Sequence, residues 1–221
     1  MNAKDQYTFQ QVIDTFRKLG VPEGPTYITE HKWLYEQARR ISTTYTEAFI
    51  LECGTLYGES VIAIGIGIER TKQFYSSKGI INSSKVVSVD NYSAFHENQR
   101  NASSPDEIRT RITECNLQNS VEIVESDDFE YIESLEDGSL NMAWIDSSHR
   151  QTNVSKQLDL ILPKMAANSL LCGHEYNGLL TLGVLYAVED FKRKHEKHLC
   201  GFGIQDRIWW TVVREPYWRM T

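Results

Sequence analysis

Apolar residues in this chain recur with two different periods, and the two alternate. Short apolar runs at Ala48–Leu51, Val86–Val89, Val121–Val124, Leu140–Ile145, Leu170–Cys172 and Ile208–Val213 read as strands. Between most of them, segments 59–70, 105–115, 152–162 and 180–195 carry apolar residues at helical spacing. Strands alternating with helices predict right-handed crossovers and a mostly parallel sheet with helices on both faces. The last run, Arg207 to Val213, is expected to pair antiparallel at the far end. Ahead of the first strand, 8–19 and 29–43 read as helices separated by the break Val21-Pro22-Glu23-Gly24-Pro25. Thr29 is the expected N-cap of the second, in which Trp33, Leu34, Gln37 and Ile41 fall at helical spacing. Residues 1–46 are therefore expected to form a helical lid or extension, and 47–221 the sheet domain.

Composition narrows the classes of partner. With 221 residues, 41% hydrophobic and 24% charged, the chain has the make-up of a soluble domain with a well-buried core. A net charge of −7 disfavours a nucleic-acid partner, which needs a basic surface. The local basic run Lys192, Arg193, Lys194 and Lys197 reads more simply as a solvated helix end. Cys53, Cys115, Cys172 and Cys200 lie far apart without C-x-x-C spacing, so neither a zinc site nor a disulfide framework is expected. No apolar stretch is long enough to span a membrane, and Met1 to Gln6 lacks a signal-peptide core. A cytoplasmic location is expected.

In an open α/β sheet, ligands bind outside the carboxyl ends of the strands, so polar residues there are the site candidates. The first strand runs into Glu52-Cys53-Gly54-Thr55-Leu56-Tyr57-Gly58-Glu59-Ser60. The spacing E-x-G-x-x-x-G-x-S differs from the G-x-G-x-x-G of dinucleotide enzymes and lacks the lysine of a phosphate-binding P-loop. It suits a nucleotide-like ligand without phosphates, and S-adenosylmethionine is the candidate. Glu52 could hold the glycine loop or take an α-amino group, and Ser60 could donate to a carboxylate beside the helix N-terminal amides. Asp90 closes the second strand, where a carboxylate can accept from both ribose hydroxyls; the plainer alternative is a turn aspartate. After the third strand, Asp127 or Asp128 could accept from an adenine amino group or cap the helix over 129–135, one aspartate doing each job.

The fourth strand ends in Asp146-Ser147-Ser148-His149 and the fifth in Gly173-His174-Glu175-Tyr176. Adjacent strand ends would bring Asp146, His149, His174 and Glu175 together. Such a cluster could supply a general base or an oxygen and nitrogen shell for a divalent metal. Taken singly, each histidine could equally be structural.

Four segments, read together, resemble class I S-adenosylmethionine-dependent methyltransferases. They are Leu51-Glu52-Cys53-Gly54 with Gly58-Glu59-Ser60, Val87-Ser88-Val89-Asp90, Ile145-Asp146-Ser147-Ser148-His149, and Leu171 to Tyr176 after Leu162-Pro163. A helix reading Gly183-Val184-(x2)-Ala187-Val188-(x2)-Phe191 extends the likeness to the small-molecule branch that includes macrolide-sugar O-methyltransferases and cephalosporin-hydroxylase-like proteins. The resemblance covers roughly residues 47–213. It implies a Rossmann-like, doubly wound, mostly parallel seven-stranded sheet with helices on both faces and an N-terminal helical extension. It also implies Glu52, Gly54, Gly58 and Ser60 around the methionine part of the donor, Asp90 at the ribose, Asp127 at the adenine and Asp146 near the methyl. Metal-using relatives bind magnesium at positions matching Asp146, His174 and Glu175.

The chain departs from the branch in two places. Ser147 and Ser148 replace the second carboxylate of I-D-G-D-H, and Met165-Ala166-Ala167-Asn168 replaces K-P-G-G, with Asn168 able to take a left-handed turn. Histidine is also poor company for a hard magnesium ion. Proton removal by His149 or His174 from a small-molecule acceptor, with Asp146 or Glu175 orienting, is therefore expected instead of a tight metal site. Trp33, Tyr35 and the polar loop Tyr92–Ser104, with Ser93, His96, Asn98 and Arg100, are expected to cover the acceptor, unless the loop is a surface excursion. Tyr217-Trp218 hints at a homo-oligomer interface. The alternative is a protein that binds the donor without transferring the methyl. An NAD-linked oxidoreductase and a nucleic-acid methyltransferase fit poorly, the first by glycine spacing and the second by charge and the lack of an Asn/Asp-Pro-Pro-Tyr/Phe motif.

Overall fold

The computed structural model describes residues 13, 14, 17, 25–93, 103–177 and 182–214. Helix α1 (Pro25–Thr44) leads into β1 (Phe49–Cys53) and α2 (Glu59–Ser76), followed by β2 (Lys85–Asp90), α3 (Pro105–Glu114) and β3 (Val121–Glu125). Then come α4 (Asp128–Ser134), β4 (Leu140–Ile145), α5 (Gln151–Ile161), β5 (Met165–Gly173), α6 (Leu182–Lys194), β6 (Leu199–Gln205) and β7 (Ile208–Val213). Among the described residues these form one seven-stranded sheet of order β3-β2-β1-β4-β5-β7-β6. β4 pairs parallel with β1 and β5, whereas β7 pairs antiparallel with β5 and β6. The sheet is mostly parallel, as the alternation predicts, and seven-stranded and Rossmann-like, as the resemblance implies. The chain divides into two compact units, 1–48 with 55–87 and 92–123, and 49–54 with 88–91 and 124–221.

In the first unit α1 starts at Pro25, so Thr29 lies inside the helix and is not its N-cap. Proline suits a first helical position because its φ is already helical and the missing N–H would be unpaired there anyway. α1 buries Leu34, Ala38 and Ile41, together with Trp33 and Tyr35. A Cβ on Gly67 of α2 would lie 2.5 Å from the Tyr35 carbonyl oxygen, so glycine lets the two helices touch backbone to backbone. α2 is apolar nearly all round and buries Val61, Ile62, Ile64, Ile66 and Ile68, each contributing about 1.5–3 kcal/mol of burial. α3 begins with a capping box: Ser104 Oγ accepts from the Glu107 amide at 3.2 Å, and the Glu107 carboxylate accepts from the Ser104 amide at 2.8 Å. Of the helix expected at 8–19 only residues 13, 14 and 17 are described, and they are helical. Val21 to Gly24, His96, Asn98 and Arg100 of the polar loop, and Tyr217 and Trp218 lie outside the described residues.

In the second unit β4 is central, with Leu51 opposite Ala143 and Ala143 opposite Leu171. α5 buries Val154, Leu158 and Ile161, and α6 buries Val184, Ala187, Val188 and Phe191. β5 starts at Met165, well before the expected Leu170, and Asn168 takes the left-handed φ of 59°. β6, which the apolar pattern did not mark, completes an antiparallel hairpin with β7. The basic run at the end of α6 is neutralised locally: Lys192 pairs with Glu189 at 2.7 Å, Arg193 with Asp190 at 2.9 Å and Lys194 with Asp159 at 2.7 Å. No described helix is long and apolar enough to cross a membrane.

Candidate functional site

The carboxyl ends of the strands in the second unit are tied to one another by backbone hydrogen bonds. The Ser126 amide donates to Asp90 O at 3.1 Å, Gly54 to Val89 O at 2.9 Å, Asp146 to Cys53 O at 2.9 Å and His174 to Ile145 O at 3.1 Å. Each loop therefore leaves its strand from a fixed point. A Cβ on Gly54 (φ 95°) would meet Asp146 O at 2.5 Å, so the glycine is required by the β4 backbone beside it.

Glu52 is fully buried and accepts a hydrogen bond from Ser88 Oγ of β2. Its carboxylate thus joins β1 to β2 two residues before Asp90. Burial pushes the Cys53 thiol well up, and the nearby Asp128, Glu52 and Asp90 push it further, which leaves it inert. Asp127 is the N-cap of α4: its Oδ1 accepts from the Phe129 amide at 3.0 Å and the Glu130 amide at 3.2 Å. Asp128 instead accepts from Ser147 Oγ at 2.6 Å and from Gln157 Nε2 of α5. Burial raises the Asp128 carboxyl, and its hydrogen bond from Ser147 pulls the other way. The serine standing where the branch has glycine is thus pinned to the start of α4.

Asp146, His149, His174 and Glu175 come together. His149 Nε2 lies 3.7 Å and His174 Nδ1 3.4 Å from Asp146 Oδ1, and His174 Nδ1 lies 3.8 Å from Glu175 Oε1. Burial alone would raise the Asp146 carboxyl, but the two histidines outweigh it and hold it below the usual range. In return Asp146 raises His149 above the ordinary imidazole value against the opposing effect of burial. The His149 side chain is 46% exposed and that of His174 11%, so an incoming molecule reaches His149 more readily.

Arg207, in the turn between β6 and β7, was not singled out by the sequence. Its Nη1 donates to Glu175 Oε1 at 2.5 Å, and its carbonyl accepts from the Tyr176 amide at 3.0 Å. Asn177 Nδ2 donates to Asp206 O at 2.6 Å, so the hairpin turn clamps the loop after β5. A guanidinium on Glu175 and an imidazole beside it do not suit a hard cation. Among the described residues no group of three or more His, Cys, Asp and Glu side chains is arranged to hold a metal ion.

The first unit carries Gly58 and Ser60. Gly58 (φ 83°) precedes α2, and a Cβ there would press on the Ile108 side chain at 2.9 Å. Arg111 of α3 donates to Tyr57 O at 2.7 Å and to Ser103 Oγ at 2.9 Å, and the Ser103 amide donates to Leu56 O at 3.2 Å. α3 therefore fixes the backbone of the glycine loop, a role the sequence did not reveal.

A family model described as a methyltransferase domain matches residues 51–176, more than half of the chain. The chain belongs to this methyltransferase-domain family. Among curated proteins nothing matches the sequence. The fold is similar to that of the O-methyltransferase NovP, with a TM-score of 0.68 at 14% identity over 85% of this chain and 80% of that one. It is also similar to the O-methyltransferase from Bacillus cereus in complex with SAH (TM-score 0.60, 16% identity, 97% of this chain and 92% of that one). A third similar structure is the O-methyltransferase TomG from Streptomyces achromogenes, involved in tomaymycin synthesis, in complex with SAM (TM-score 0.60, 12% identity, 97% and 91%). At such identities the likeness shows a shared fold.

Proposed function

We propose that this chain transfers the sulfonium methyl of S-adenosylmethionine (SAM) to an oxygen of a small-molecule acceptor. The observation that carries the reading is the contact of Asp146 Oδ1 with both His149 Nε2 (3.7 Å) and His174 Nδ1 (3.4 Å) at the carboxyl end of β4. It occurs in a chain that belongs to a methyltransferase family and folds like O-methyltransferases in complex with SAM or SAH.

The donor set fits SAM chemically. Carboxylates at neighbouring strand ends match a ligand offering an ammonium, ribose hydroxyls and an adenine amino group, and no lysine stands in the glycine loop to hold phosphates. We assign Asp90 to the ribose, Asp127 to the adenine beside its capping role, and Gly54, Gly58 and Ser60 to the amino-acid end. Glu52 acts from behind, by fixing Ser88 two residues before Asp90. SAM supplies, when bound, a methyl already activated on a positive sulfur. The chain's task is then to align the acceptor and remove its proton. His149 takes that proton, while Asp146 orients the ring and stabilises the imidazolium. His174 braces Asp146 from the other side. Glu175 is held by Arg207, so no step is routed through a metal at Asp146, His174 and Glu175.

The test is a screen of sugars, phenols, polyketides and amines with methyl-labelled SAM. With the acceptor it finds, His149→Ala is expected to lower kcat by about 100-fold or more while leaving donor affinity intact. Full activity in that variant would remove His149 from the mechanism. Donor binding without transfer to any acceptor class would favour a protein that binds SAM without catalysis.

A further inference from the structure

The first unit holds a second pair of ionisable groups that the reaction does not use. Glu59 opens α2 between Gly58 and Ser60, two residues assigned above to the donor's amino-acid end. His31 of α1 places Nε2 3.6 Å from Glu59 Oε2, and the two side chains are only 8% and 16% exposed. From α3, Arg111 faces Glu59 as well, although its Nη1 already donates to Tyr57 O and Ser103 Oγ. A carboxylate in the first turn of a helix is ordinarily favoured by the helix dipole. Here burial wins and pushes Glu59 up to about 7, against the pull of Arg111. The helix that should welcome a charge at this position therefore begins with a carboxyl that is half protonated near neutrality.

That placement bears on the donor. SAM and its product both carry a carboxylate, and Ser60 with the first amides of α2 is where we assign it. A charged Glu59 one residue away would repel that carboxylate, and a protonated Glu59 would not. We propose that Glu59, buried against His31, sets the affinity of the glycine loop for the donor's carboxylate, admitting it when protonated and opposing it when ionised. The inference rests on the donor reading given above. By linkage, donor binding near neutral pH then draws a proton onto the protein.

Calorimetric titration with S-adenosylhomocysteine between pH 5.5 and 8.0 tests this without any acceptor. The wild-type Kd is expected to be about tenfold weaker at pH 8.0 than at pH 6.0. Titrations near pH 7 in two buffers of different ionisation enthalpy should show net proton uptake, a readout that needs no variant. Glu59→Gln should hold its affinity within about twofold across the range, with Glu59→Leu used if the glutamine variant does not fold. Binding that is tight but flat in the wild type, or a slope that survives in both variants, overturns the inference and leaves the donor reading standing. No binding at any pH overturns both.

Discussion

In the proposed reaction Asp146 and His149 divide a task that neither could perform alone. The carboxylate is useful because it stays charged, and the two imidazoles keep it so despite burial. His149 must be neutral to take the acceptor's proton, yet Asp146 makes the ring hold a proton more tightly than a free imidazole would. A base must be unprotonated to act, so kcat/KM is expected to rise with pH through an inflection lying above the ordinary imidazole value of about 6.5. Replacing Asp146 with Asn should move that inflection down and reduce the rate. A profile that is flat from pH 6 to 9 would show that no histidine titrates in the rate-limiting step. Asp146, His149, His174 and Glu175 were legible in the sequence because strand ends are where an α/β sheet concentrates polar side chains. Arg207 was not, since nothing local says that a residue in the turn before the last strand reaches the loop after the fifth. Gln157 was hidden for a related reason: it reads as a polar residue in a helix, yet it is fully buried and donates to Asp128 and Ser147.

Elements were predictable where their own residues carried the signal. α3 is legible in the helical spacing over 105–115, and the structure adds a capping box made by Ser104 and Glu107. Ser104→Ala should therefore cost about 1 kcal/mol in chemical denaturation. The same substitution should weaken SAM binding slightly, because Arg111 of α3 holds Tyr57 O in the glycine loop. A loss under about 0.3 kcal/mol would mean that water replaces the cap. β6 had no such signal. Its sequence Leu199-Cys200-Gly201-Phe202-Gly203-Ile204-Gln205 is broken by glycines, and none of its residues is fully buried, so no apolar alternation develops. Gly203 is there because the Trp210 ring of β7 fills the space of a side chain. The start of β5 was obscured in a similar way, by the left-handed Asn168 and a register shift between Leu140 and Met142. α1 starts at Pro25, whose φ is already helical, and runs through the Thr29 that the sequence offers as a cap.

Over the whole molecule, the acidic balance of −7 fits a protein that meets small molecules better than one that tracks a phosphate backbone. Its stability should also respond to pH through Glu59. Because folding raises that carboxyl from 4.5 to about 7, the folded state is favoured most below pH 4.5, and this contribution is lost as the pH rises through about 7. Relative to Glu59→Gln, the wild-type unfolding temperature should therefore fall between pH 4.5 and 7.5. An equal pH dependence in both proteins would show that Glu59 titrates as an exposed carboxylate does. Methyl transfer from SAM nevertheless stands or falls on the donor site, and Asp90, at the end of β2, is its most exposed test. The decisive measurement is calorimetric titration of the purified protein with SAM, repeated with Asp90→Ala. Micromolar binding by the wild type, weakened at least about 100-fold by the substitution, is the predicted result. Absence of SAM binding to the wild type, or equal binding by both proteins, would contradict it.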